Sequence, residues 1–106
     1  MILYHVTINL DDSIQQEWLE WMQSKHIPDV MATGQFLDFR LTYMMFSEVE
    51  GHTYSVQYLL QDMEALEFYM EQFAPLLQKE HQNKFEGKFV AYRTVHEVLD
   101  CLIKPG

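Results

Sequence analysis

The chain has 106 residues, of which 48% are hydrophobic and 14% aromatic; sixteen acidic residues against seven lysines and arginines give a formal charge of -9. That length supports one hydrophobic core and not two, so residues 1–100 read as one domain and 101–106 as a tail. Such a charge repels phosphate backbones and anionic lipid surfaces, which argues against nucleic acid and membrane as partners, and a single cysteine, Cys101, allows neither an internal disulfide nor a Cys-x-x-Cys pair and so suits a reducing cytoplasm.

The first element is a strand. Between Ile2 and Leu10 the even positions Ile2, Tyr4, Val6, Ile8 and Leu10 are apolar or aromatic, while His5, Thr7 and Asn9 alternate with them, the period of two that marks a half-buried strand. This N-terminus has no basic region, only a short apolar run and no small-residue cleavage site, so it does not read as a secretory signal. No stretch approaches the ~18 apolar residues of a spanning helix. Asp11, Asp12 and Ser13 then supply capping oxygens and negative charge for a helix N-terminus. Ile14, Trp18, Trp21, Met22 and Lys25 form one stripe of that helix, which is expected to end near Lys25 or His26 because Pro28 disfavours helical geometry before it. In the segment HIPDVMATG, Asp29 is expected to cap one short turn closed by Gly34.

From Phe36 to Phe46 the odd positions Leu37, Phe39, Leu41, Tyr43 and Met45 are apolar or aromatic, and Tyr54, Val56, Tyr58 and Leu60 alternate with Thr53, Ser55, Gln57 and Leu59 after the turn SEVEGH. Together they predict a hairpin. A second helix, from about Gln61, carries Met63, Leu66, Tyr69, Met70, Phe73 and Leu77 on one stripe, with a kink or a fresh start expected at Pro75. The last strand runs from Lys88 to about Leu99 with neither parity cleanly apolar, which a bulge would explain. The order β-α-β-β-α-β predicts an α+β, ferredoxin-like fold: a four-stranded antiparallel sheet with two helices on one face.

Function is expected on the uncovered face, where His5, Thr7, Asn9, Asp38, Arg40, Thr42, Met44, Phe46, Ser55, Gln57 and Leu59 would lie. A wet polar face is the plain alternative, but Leu3, Met44, Phe46 and Leu59 make an apolar group suited to a homodimer in which two such faces meet. Both arginines, Arg40 and Arg93, fall in predicted strands. An arginine fork in such a dimer cavity suits a small anion, so His5, Arg40, Gln57, Tyr92 and Arg93 are candidate ligand contacts, with His26 and Asp29 as a candidate rim. A simple pair of Arg40 with Asp38, or with a carboxylate across the dimer, is the structural alternative. The five histidines have no metal-ligand spacing, no phosphate loop or nucleophile elbow occurs, and neither metal nor cofactor is expected. Trp18, Trp21, Met22, Met63 and Met70 read as packing, and His81, Lys79 and Lys84 as cations at a helix C-terminus.

The segments YHVTINLDDSIQQEWLEWM, HIPDVMATGQF, TYSVQY and KFVAYRT, with Ala74 and Pro75 between the last two, resemble a family of small bacterial proteins described as a domain of unknown function. The resemblance implies a cytoplasmic bacterial protein of the dimeric α/β-barrel type, a superfamily that includes small-molecule monooxygenases, haem-degrading enzymes and ligand sensors; it implies no catalytic residue. Three activities follow as expectations. The first is a homodimer binding a small ligand on the open face. The second is a cofactor-independent monooxygenase or isomerase, with His5 as proton acceptor and Arg40 or Arg93 at an oxyanion. The third is a protein-protein interaction module using the acidic helix from Asp62 to Glu71.

Overall fold

The structure, a computed structural model, describes residues 1–102; residues 103–106 of the expected tail lie outside the described residues. Strands β1 (Ile2–Leu10), β2 (Phe36–Tyr43), β3 (His52–Leu60) and β4 (Phe89–Glu97) form one antiparallel sheet in the order β2-β3-β1-β4. Helices α1 (Gln15–Trp21), α2 (Ile27–Ala32), α3 (Met63–Gln72) and α4 (Ala74–Lys84) cover one face, the ferredoxin-like arrangement that the alternation predicts. No helix among the described residues is long and apolar enough to cross a membrane.

The first helical layer starts as the capping residues dictate. Asp11 Oδ1 accepts the Ser13 N–H at 2.9 Å, a 3-10 turn spans Asp12–Ile14, and α1 follows. The expected stop near Lys25 or His26 is absent. The chain instead makes a π turn over Met22–His26 and continues into α2, with Pro28 in its first turn. A π turn widens the backbone where the proline ring would clash with the carbonyl four residues back. Its signature is the spacing of the buried residues, Trp18, Met22, Ile27 and Val30: the step of five between Met22 and Ile27 keeps both on the core side and sends Lys25 outward. Gly34 closes α2 with a positive φ of 80°.

The second layer breaks where Pro75 requires, with the proline in the first turn of α4. Asp62 caps α3 by accepting the Ala65 N–H at 2.9 Å. Leu66 and Tyr69 are buried, but Met63 and Met70 are exposed by more than a third, so these two are not core packing.

Two strand details differ from the expected alternation. The bulge lies in β2, where Phe36 pairs with Leu60 and Asp38 with Leu59, so Leu37 is the extra residue and the odd-position row faces the helices only from Phe39 to Tyr43. Met44, Met45 and Phe46 belong to the connection and not to the strand. In contrast, β4 pairs with β1 without a register shift from Leu10–Phe89 to Ile2–Glu97. Gly51 ends that connection with a φ of 84°, and a Cβ there would stand 2.5 Å from the Leu10 carbonyl oxygen, so only glycine lets the hairpin close against β1.

Candidate functional site

Strand register assigns each candidate residue to a face. Gln57 lies opposite both Arg40 and His5, forming a row across β2, β3 and β1, while Tyr92 lies opposite Thr7 one step further along β4. These four share the open face. Arg93 does not, because it pairs with Val6 and so lies on the helix side. The fourth strand has no clean apolar parity because its helix-side row contains this arginine, together with Phe89, Ala91 and Val95, whereas Val90 and Tyr92 point outward. A His5–Arg93 pair is therefore impossible within one protomer, since the sheet separates them.

The open face is held by its own short polar pairs. His5 Nε2 hydrogen-bonds Ser55 Oγ, Asn9 Nδ2 donates to Thr53 Oγ1 at 3.0 Å, and Thr94 Oγ1 and His96 Nε2 are 2.8 Å apart. Burial, followed by the neighbouring His96, lowers the pKa of His5. Arg40 makes no ion pair with Asp38 among the described residues. Leu3 and Leu59 are half-buried in this surface, and Val90 and Tyr92 are exposed on it.

The helix side encloses a different environment. A cavity of about 40 Å3, room for a few water molecules, lies between the sheet residues Tyr4, Val6, Val56, Tyr58 and Arg93 and the helix residues Met22, His26, Tyr69, Gln78 and His81. It meets a larger groove between α4 and the edge strand β4; Gln78, His81, Ala91 and Arg93 line both spaces, and Lys79 lines the groove. Among the described residues no acidic side chain lines either one.

The chemistry of the cavity follows from burial. Burial raises the phenol pKa of Tyr4, against which the charge and hydrogen bonding of Arg93 and the amide of Gln78 pull it back. Tyr58 and Tyr69 are pushed well above the usual phenol range, again by burial first. All three are neutral donors. His81, 7% exposed, accepts the Trp18 Nε1–H on its Nε2 at 2.9 Å. An indole nitrogen only donates, so this bond requires a neutral His81 with its proton on Nδ1. Burial, then the charges of His26 and Arg93, lower its pKa to about 4. His26 stands on the π turn, stacked on Trp21 with ring centroids 5.0 Å apart and 5.7 Å from His81. Burial lowers its pKa to about 4 despite the carboxylates of Glu80 and Asp29, and its Nδ1 is buried without a hydrogen-bond partner. The expected rim partner Asp29 is instead paired with Lys25 at 2.8 Å, and Lys25 also reaches Glu80 at 3.3 Å.

Thus His26 is at the cavity but Asp29 is not, and His81 is a buried neutral group, not a cation at a helix end. Sequence reasoning also passed over Tyr4, Tyr58, Tyr69 and Gln78 as core or surface. One signal was present: Ala74, Gln78, His81 and Phe85 recur at steps of four, three and four, which places a glutamine and a histidine on the inward stripe of α4. Among the described residues no group of three histidine, cysteine or acidic side chains could hold a metal ion.

Solved structures share this fold. A dimeric ferredoxin-like protein from an uncultured marine organism superposes with a TM-score of 0.76 at 9% identity, covering 95% of this chain and 97% of its own. An ethyl tert-butyl ether d (EthD) family protein from Bacillus halodurans gives 0.69 at 18% identity, over 93% of this chain and all of its own. SnoaB, a cofactor-independent oxygenase from Streptomyces nogalater, gives 0.69 at 10% identity, over 97% of both chains. No curated protein matches the sequence. The family model for the domain of unknown function DUF4286 matches residues 1–99, and the chain belongs to that family.

Proposed function

We propose that this is a cytoplasmic, homodimeric small-molecule-binding protein that pairs its open sheet face with a second copy and binds its ligand on the opposite side, in the cavity entered between α4 and β4. The two tasks fall on opposite faces. The observation carrying the ligand assignment is His26 Nδ1: a buried polar nitrogen without a partner costs about 1–3 kcal/mol, and His26 is among the residues lining a cavity with three neutral phenols and an arginine. Dimerisation is supported by exposed Val90 and Tyr92 beside half-buried Leu3 and Leu59, and by the dimeric description of a neighbour with the same fold. In this reading His5, Arg40, Gln57 and Tyr92 belong to the dimer interface and Arg93 to the ligand.

Native mass spectrometry of the purified protein, followed by denaturing mass spectrometry of the same sample, tests both halves. The expected result is a dimer carrying a small-molecule mass that Ala91→Leu, which plugs the mouth, removes, while Tyr92→Asp yields folded monomer. A bare monomer at micromolar concentration overturns the proposal.

A second reading rests on the neutrality of His26. A neutral imidazole lining a pocket can take a proton from a substrate without a cofactor, and SnoaB, which shares the fold, is described as a cofactor-independent oxygenase. Here the proton acceptor is His26 and not His5, and turnover lost in His26→Ala but kept in His5→Ala is its mark.

A further inference from the structure

We infer that the ligand is a small organic monoanion, a carboxylate or an enolate- or phenolate-type oxygen, received at the inner end of the groove by the Arg93 guanidinium and the Nδ1–H of His81, with Trp18 holding His81 in the tautomer that donates. This rests on the ligand-binding reading above and specifies the chemistry of that site.

The distribution of charge carries the inference. The chain has sixteen acidic residues and only seven lysines and arginines, yet among the described residues the cavity and its groove contain Arg93 and Lys79 and no carboxylate. A protein of this net charge repels anions in general, so a lining without acids and with two cations departs from its overall balance, and the carboxylates that act on His26, Glu80 and Asp29, are paired with Lys25. The hydrogen-bond inventory points the same way. Arg93 can only donate. The Trp18 Nε1–H occupies the sole acceptor nitrogen of neutral His81 at 2.9 Å, which leaves Nδ1–H, a donor, for a ligand. The Tyr4 hydroxyl, beside Arg93 and Gln78, adds a third proton. A neutral amide or amine presents too few acceptors to such a set, whereas an anionic oxygen accepts from all of them. The cavity of about 40 Å3 admits the charged head, and the groove between α4 and β4 takes the remainder. The negative field of the whole protein disfavours polyanions, hence the single charge.

Trp18 is on this account a positioning residue. It does not line the cavity, but its indole N–H determines which nitrogen of His81 bears the proton.

The test uses benzoate and its neutral isostere benzamide, titrated calorimetrically into the purified protein, with inorganic phosphate as a competitor and long-range 1H–15N spectra of the imidazoles. Benzoate is expected to bind about tenfold or more tightly than benzamide, the factor that one charge-assisted hydrogen bond supplies. Arg93→Gln is expected to abolish that preference, while Lys88→Gln, the same change of charge away from the groove, preserves it. His81 is expected to be protonated on Nδ1, and Trp18→Phe to release it into a mixture of tautomers. Equal binding of the two compounds, a preference that survives Arg93→Gln, phosphate competing as well as benzoate, or an Nε2–H tautomer at His81 overturns the anion assignment while leaving a ligand site in place. If neither compound binds and denaturing mass spectrometry releases nothing, the ligand-binding reading itself falls, and this inference with it.

Discussion

Tyr4 and His5 are adjacent in the sequence and lie on opposite sides of one strand. Tyr4 enters a layer where Trp18, Tyr54, Val56, Tyr58 and Phe85 are nearly inaccessible and where burial is the first cause of every large pKa shift. His5 enters a layer of side chains bonded to cross-strand neighbours, such as Ser55, at the edge of solvent. The helix side thus derives its properties from exclusion of water, and the open side from local pairing. A polar group on the first is expensive and so implies a role; on the second it is ordinary.

The largest test of this contrast is Trp18→Ala. It removes a fully buried indole together with the donor to His81 and should cost about 4 kcal/mol, measured by urea unfolding. Acid is the next largest. His81 has a folded pKa of about 4 against 6.5 when unfolded, so below pH 6.5 the unfolded chain binds a proton that the folded one refuses. Stability is complete above about pH 6.5 and falls as the pH drops towards about 4, by roughly 3 kcal/mol from this residue alone. His26 adds in the same direction. His81→Gln, which retains an acceptor for Trp18 but does not titrate, should flatten the slope of unfolding free energy against pH. On the open side Ser55→Ala deletes the partner of His5 and should cost only about 1 kcal/mol. Lys25→Ala removes two surface ion pairs and should change stability by about 0.5 kcal/mol or less. A loss of several kcal/mol in Ser55→Ala, or a flat pH profile in the unmodified protein, would erase the distinction between the faces.

Strand and helix order were legible because alternation in β1 and β3 is strict and the cap at Asp11 is of the usual kind. The site was less so. Arg93 lies in an edge strand whose two rows are equally mixed, so its facing depends on register with β1, a long-range property absent from local pattern. His81 was hidden by two adjacent lysine-bearing turns that resemble a solvated helix end, although its step of four to Phe85 marked the inward stripe. Of the residues expected on the open face, Arg40, Gln57 and His5 stand in one row, because parity within a well-paired strand survives small errors at its ends, whereas Met44 and Phe46 fall past the end of β2.

The π turn at Met22–His26 gives the segment a consequence in terms of length and not of chemistry. It accommodates one residue more than α-helical winding would, and each residue of a helix rotates the chain by about 100°. Deleting Gln23, Ser24 or Lys25, which are exposed, would shorten the step from Met22 to Ile27 from five to four, the step of an ordinary α-helical turn. Trp18, Met22, Ile27 and Val30 would then still share one face, but the widened turn ahead of Pro28 would be gone, and the proline ring would meet the carbonyl four residues back. The extra residue thus serves the proline and not the stripe: a chain shortened by one here must kink or open at Pro28 to keep the same wall.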